Sequence, residues 1–315
     1  MLDTRDIDLA NEARLIARDG PVSVFELDAG CGRGLMTFLE LYPGVSLIVS
    51  EFHGEVLDSA VRVGCESLCV DHCREGRLEW LLDGERRLYL AKGRAIAHTH
   101  EKFCSSFHLP THAYRGLTIA LFVEQAQASL DGAITDFAID LSALRLKLCP
   151  ELQPCMLARP LPEHFLASFY ASLAKERLVL LRIKLLELLL FLDSLPPAQV
   201  GEDQYYCRSH VEKVKAIERL LVANPAERLS IPELARRFAL PETTLKACFK
   251  GVFGNSINAY MRERRMRLAA ELLLESSLSV TEVAVRVGYE SPSKFAAAFR
   301  AQAGVTPTDY RKGAL

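Results

Sequence analysis

The feature that most constrains this chain is a duplication near its end. The segment LSIPELARRFALPETTLKACFKGVFG (229–254) lines up with LSVTEVAVRVGYESPSKFAAAFRAQAG (278–304). Leu229 falls on Leu278, Ala235 on Ala284, Leu245 on Phe295, Phe249 on Phe299 and Gly254 on Gly304. The offset is 49 residues before the turn and 50 after it, so the second turn is one residue longer. A helical pattern repeated at this spacing specifies one small unit built twice, not a single long bundle.

Each copy holds the parts of a helix-turn-helix. Ser230 is placed to N-cap a first helix, with Pro232 and Glu233 in its first turn; Ser279 and Glu282 serve the second copy. A small residue, Ala235 or Ala284, stands mid-helix where two steeply crossing helices must approach. The turns are Phe238-Ala239-Leu240 and Gly288-Tyr289-Glu290, and Gly288 is free to take positive φ. A second helix follows, with apolar residues at i, i+4 (Leu245 and Phe249; Phe295 and Phe299) facing inward and the other face left for a groove. The separator SINAYMRERRMRLAAELLL (256–274) predicts one helix of about 19 residues, or ~28 Å. A turn of B-DNA is ~34 Å, so a connector of this length suits two recognition helices in successive major-groove segments on one face. It carries Arg262, Arg264, Arg265 and Arg267.

Charge divides the chain in the same place. Residues 210–315 hold 17 Lys and Arg against 11 Asp and Glu, a net +6, whereas residues 1–209 hold 21 against 29, a net −8. A basic module joined to an acidic one fits a polyanionic partner for the former.

At this point residues 211–312 resemble the AraC/XylS family of bacterial transcription regulators. The resemblance rests on SVTEVAVRVGYESPSKFAAAFRAQAGVTPTDYRK, with Gly288-Tyr289, Phe295, Phe299, Gly304, Pro307 and Tyr310-Arg311, and on RMRLAAELL in the connector. It implies a cytoplasmic, sequence-specific DNA-binding regulator with double-stranded DNA and RNA polymerase as partners, no cofactor, and a small-molecule effector of unknown identity. By position it assigns Thr243, Lys246 and Ala247 to the groove in the first unit, with Lys250 near phosphate. In the second it assigns Pro292, Ser293, Lys294 and Ala297. Better-known members place arginine, glutamine or tryptophan at several of these sites. Alanines at 247 and 297 reach at most a thymine methyl, leaving Lys246 and Lys294 as readers of either base edges or phosphate.

The first two-thirds read differently. VSLIVSEFHG, RLEWLLDGERRLYLAKG and YRGLTIALFVE are strand-like, with a hairpin signal at Asp83-Gly84 and a strand end at Lys92-Gly93. Close-spaced strands predict a small antiparallel barrel or sandwich, and this half resembles, more weakly, the cupin-like sensor domains of the family, including its siderophore-responsive branch. Residues 161–195 have helical spacing, and Leu185, Leu188, Leu189 and Leu192 form one apolar face that either pairs with a second copy or packs within the chain. The fold class expected is α+β multidomain: a cupin-like barrel sensor (1–160), a helical dimerisation segment (161–195), a linker (196–208) and an all-α tandem helix-turn-helix domain (209–315), assembled as a homodimer.

Other chemistries find less support. His98, His100, Cys104, His108 and His112 are residue types that hold zinc, iron or haem, which makes a metal- or redox-responsive switch the alternative trigger. Polar rim residues of a metal-free barrel are the favoured reading, because Glu101 follows His100 directly and the rest of a metal-cupin motif is not evident. Cys65, Cys69 and Cys73 lie on a strand-like run too widely spaced for shared ligation and read as buried apolar residues. The glycines of CGRGLM (31–36) lack a phosphate-loop context. A catalytic triad is not recognisable, and a DNA-repair methyltransferase fused to such a reader lacks its reactive cysteine motif, so no enzymatic activity is expected. The greasiest run (178–195) contains Arg182, Lys184, Glu187 and Asp193, unsuited to a membrane span.

Overall fold

The computed structural model describes residues 13–28, 32–58, 65–81, 85–99, 106–134, 139–173, 178–197 and 206–313. The chain divides into two compact units, Met1–Tyr205 and Tyr206–Leu315.

The first unit is an antiparallel sheet domain with helices. Its strands are β1 (Ala13–Asp19), β2 (Val22–Asp28), β3 (Gly32–Tyr42), β4 (Val45–Gly54), β5 (Val56–Asp58), β6 (Ser67–Leu81), β7 (Arg86–Ala91), β8 (Ala95–His98), β9 (Ser106–His108), β10 (Ala113–Phe122) and β11 (Cys155–Met156). The main path runs β1-β2-β3-β4-β10-β6-β7. The 15-residue β6 is the hub: Cys69 to His72 pair with β8, Arg77 to Leu81 pair with β7, and β10 lies along its first half. Strands β6 and β7 meet as the Asp83-Gly84 signal implies, although residues 82–84 lie outside those described. Strand β7 ends at Ala91, just before Lys92-Gly93.

The expected cupin-like barrel does not close. Among the described residues β1 pairs only with β2. Its side chains after Ala13 are all exposed, with Arg14, Arg18 and Asp19 along it. Arg14, Arg18 and Asp19 are edge charges of the kind that blunt a sheet edge against further pairing, although Leu15 and Ile16 are exposed beside them.

Two cores sit on this sheet. Phe25, Met36, Phe38, Phe52, Trp80, Leu88, Leu90 and Tyr114 form one. The other joins the opposite side chains, Leu41, Leu47, Val70 and Ile119 among them, to helices α1 (Val123–Ile134), α2 (Leu141–Leu148), α3 (Glu163–Leu173) and α4 (Leu178–Ser194). The alternation follows from strand geometry, since neighbouring residues point to opposite faces.

Leu185, Leu188, Leu189 and Leu192 belong to this second core and are fully buried within the chain. The leucine face therefore does not pair with a second copy; of the two readings, internal packing is the one observed. The physical reason is that the sheet offers those leucines a continuous apolar partner. Arg182 fixes the helix by donating to the Leu41 carbonyl at 2.7 Å while stacking over Tyr42. What α4 leaves outside is also apolar: Val179, Ile183 and Leu190 are 70%, 56% and 39% exposed.

Cys69 and Cys73 are buried as apolar residues, and burial pushes both thiols up, Cys73 to about 12. Cys65 departs from that reading and is exposed. No helix among the described residues is long and apolar enough to cross a membrane.

Candidate nucleic-acid interface

The second unit contains α5 (Arg208–Ala223), α6 (Ile231–Arg237), α7 (Glu242–Phe253), α8 (Ile257–Glu275), α9 (Val280–Arg286), α10 (Pro292–Ala303) and α11 (Pro307–Arg311). The duplication is thus two lobes that share α8. Helices α6 and α9 are seven residues each, α7 and α10 twelve each.

Local chemistry starts both lobes alike. The Ser230 backbone N–H donates to the Glu233 carboxylate at 2.7 Å, and the Glu233 N–H donates back to the Ser230 hydroxyl at 3.4 Å. Ser279 and Glu282 repeat this at 2.6 and 3.2 Å. These are capping boxes, which satisfy helix-end donors that otherwise face water. The hydrogen bonds hold both glutamates below their ordinary range.

The short helices turn into the longer ones through positive φ, at Ala239 (+48°) and Gly288 (+84°). Helices α7 and α10 then end on Gly254 and Gly304 in the left-handed conformation. Their inward residues pack as aromatic clusters. Phe249 meets Tyr260 edge-on at 5.5 Å and 79°; Phe299 meets Tyr310 at 5.3 Å and 77°. The repeat therefore extends through Tyr260 and Tyr310, at the same offset of 50, beyond the segment the sequence alignment covered. In the first lobe the Tyr260 hydroxyl donates to the buried Glu218 carboxylate at 2.6 Å, tying α8 to α5. Burial and that bond raise the phenol.

Sequence-selected residues fall on the outer faces of α7 and α10. Thr243, Lys246, Ala247 and Lys250 are exposed on α7; Pro292, Ser293, Lys294 and Ala297 are exposed on α10. Lys246 is held by Glu242 one turn earlier at 3.2 Å, with both side chains about half exposed. Between the lobes, α8 spans 19 residues, about 28 Å, starting on the Ser256 cap.

Two arginines make contacts the sequence reading did not assign: Arg265, named there only as one of the connector's four, and Arg228, not named at all. Arg265, near the middle of α8, donates to the Pro225 carbonyl at 2.7 Å and to that of Glu227 at 3.4 Å. Arg228 donates to the Gly288 carbonyl at 3.0 Å. Arg265 is marked in the sequence only by lying beside the buried Met261 and Met266 on the helix; Arg228 has no such mark.

The histidine cluster does not assemble into a metal centre among the described residues, where no three His, Cys, Asp or Glu side chains are arranged to hold an ion. His98 is buried on β8, its Nε2 3.1 Å from the Asp71 carboxylate and its ring against Trp80. His108 lies on β9 opposite Val56 and Glu79, and His112 in a turn at φ +59°. His100 and Cys104 lie outside the described residues.

Comparison with known proteins points to this second unit. Residues 234–313 match the helix-turn-helix domain family. The chain is 30% identical over 110 residues to the HTH-type transcriptional activator AarP of Providencia stuartii, covering 34% of this chain and 82% of that protein. It is 33% identical over 104 residues to the HTH-type transcriptional regulator ExsA of Pseudomonas aeruginosa, covering 33% of this chain and 36% of ExsA. The chain thus matches about a third of the length of ExsA and of the virulence activator VirF of Yersinia enterocolitica, the latter at 35%. Among solved structures, the C-terminal domain of AraT, a response regulator from Geobacillus stearothermophilus, is 29% identical, covering 32% of this chain and 84% of that one with a TM-score of 0.31.

Proposed function

Because the chain belongs to the AraC family of helix-turn-helix regulators, a membership carried by its second unit, we propose that it is a sequence-specific transcription regulator that seats α7 and α10 in successive major-groove segments. One observation supports this above the rest. Two twelve-residue helices each bury one face in their own core, expose the other, and are separated by a helix of about 28 Å. Lys246 and Lys294 are then the main readers. Thr243, Ala247, Pro292, Ser293 and Ala297 contribute shape and thymine-methyl contact, and Lys250 meets phosphate. RNA polymerase is the protein partner of a regulator of this kind.

The first unit is the sensor in this reading, with an organic effector. Its support is Asp71, whose Oδ1 is buried without a hydrogen-bond partner among the described residues while Oδ2 takes His98. A polar atom left so in an apolar core calls for a donor. Such an effector raises the unfolding temperature of the chain; a screen across donor-bearing compounds that moves nothing removes this part.

The regulator acts as a dimer through the outer face of α4, not the leucine face. Val179, Ile183, Leu186 and Leu190 recur at intervals of 4, 3 and 4, the spacing of a coiled-coil seam.

One titration tests the whole reading. Full-length protein, Lys246→Ala, Lys294→Ala and the double variant Ile183→Glu/Leu190→Glu are bound to single and paired sites. Affinity falls steeply with salt. Each lysine variant loses ~1–3 kcal/mol of discrimination within its own segment of the site. The double variant is monomeric by light scattering and keeps single-site binding but loses the gain from pairing. Uniform weakening across sequences reassigns the lysines to phosphate. A native chain that is monomeric with and without DNA removes the dimer, and absence of binding at low salt removes the reading.

A further inference from the structure

The two lobes meet at α8, and that helix is shared unequally. Its first half packs on the first lobe through Ile257, Tyr260 and Met261, and its second half on the second lobe through Met266, Ala269 and Leu273. Between them, around residues 262–265, the helix must carry any bending by itself. Long helices curve readily on the solvent side, and a small bend here swings α7 relative to α10. A cavity of about 390 Å³ lies beside this stretch, lined by Leu221, Arg228, Met261, Arg265 and Tyr289, among others. The lobes therefore do not interdigitate there.

What crosses this region is the loop between α5 and α6. Its Pro225 and Glu227 carbonyls accept from Arg265 of α8. Its Arg228 reaches the Gly288 carbonyl in the turn of the second lobe. Its backbone also lies so close to that turn that a β-carbon on Gly288 would stand 2.8 Å from the Pro225 oxygen and 2.9 Å from the Ala226 α-carbon. Both arginines take carbonyls just past helix ends, those of α5 and α9. There the backbone oxygens lack helical partners and the helix dipole favours a cation. The result is a three-point strut across the midpoint of α8.

We propose that Arg228 and Arg265 are positioning residues that set the separation and angle of the two recognition helices, and so the spacing of the two DNA segments one protomer can read. This rests on the DNA-binding reading above. Neither arginine needs to touch DNA: each acts by removing orientations in which only one helix is seated. Two weak readers gain from being linked only when the geometry allows both to bind.

The test is binding of the full chain to a site for one protomer and to versions with one or two base pairs inserted between its segments. Each insertion adds ~3.4 Å and about a tenth of a turn. The native protein is expected to lose about tenfold or more in affinity on the first insertion. Arg228→Ala is expected to bind the native spacing about tenfold more weakly, with the insertion penalty shrunk to about threefold, because a freer pair adapts to either spacing. Arg265→Lys, which keeps a donor at the end of a flexible stem, falls between them. Thermal unfolding shows that each variant is folded; Arg228→Ala carries the test if Arg265 variants are not. Equal weakening at every spacing leaves the insertion penalty unchanged and would overturn the proposal, as would unchanged binding at all of them. A native protein that binds none of these sites overturns the DNA-binding reading instead.

Discussion

The two lobes of the second unit are copies that share one aromatic pair, Phe249–Tyr260 and Phe299–Tyr310, whose geometry agrees to 0.2 Å and 2°, yet their turns are built differently. The first takes positive φ at Ala239, an L residue that pays for that conformation, and Lys213 donates to its carbonyl at 3.1 Å. The second takes it at Gly288. Left-handed φ alone does not demand glycine, because Ala239 manages it. Gly288 is required by the 225–228 loop lying against it. A glycine in this motif is thus evidence of a tertiary approach, not only of a turn.

The largest test of this comparison removes the ring that each lobe packs around. Phe249→Ala and Phe299→Ala, both fully buried, each cost about 3–5 kcal/mol. Since α8 contributes to both cores, melting of either variant by far-UV circular dichroism should remain one transition for the second unit. Separate transitions for the two lobes would show that α8 does not couple them.

A middle-sized effect separates the turns. Gly288→Ala adds left-handed backbone strain of about 1–2 kcal/mol to a collision with backbone that cannot move aside cheaply. Ala239→Gly relieves similar strain and adds unfolded-chain freedom of about 0.4–1 kcal/mol, so it lies between neutral and mildly stabilising. Denaturant midpoints at constant slope measure both. Equal and opposite effects would mean that φ alone distinguishes the lobes.

The smallest effect concerns the readers. Lys246 is tied to Glu242, whereas Lys294 has no ion pair among the described residues. An exposed helical pair of this type contributes about 0.3–0.5 kcal/mol, so Glu242→Gln should tighten DNA binding about twofold at low salt, and less at high salt as charges are screened. Unchanged affinity would place Lys246 away from the DNA.

Much of the second unit was legible in the chain because its signals are local. Caps at Ser230 and Ser279, the inward pairs Leu245/Phe249 and Phe295/Phe299, and the connector depend on residues within a few turns of one another, where 3.6-residue periodicity and capping chemistry act. The outer-face residues of α7 and α10 followed from the same periodicity combined with the family resemblance. Repetition then doubled the evidence for each part.

Other features depended on partners far away in sequence. Apolar spacing identified α4 as a helix with Leu185, Leu188, Leu189 and Leu192 on one buried face, but not what covers that face, since periodicity does not say whether the partner is a second copy or the same chain. The sheet, through Leu41, Leu47 and Ile119, decided that Leu185 to Leu192 turn inward and that Val179, Ile183 and Leu190 are left out. Alternation marked the strands but not whether β1 meets a closing partner, because closure depends on the shear and length of every strand between. The strut from Arg228 and Arg265 has no sequence signature beyond the presence of Arg265 in the connector: an arginine binds whichever carbonyl the tertiary fold delivers to it. By itself the sequence determined the repeated unit, its caps and the inward and outward faces of its helices, all set by interactions within a few residues. Only the tertiary structure decided how those units are held relative to each other, because that depends on contacts between residues 40 to 60 positions apart, which periodicity does not reach.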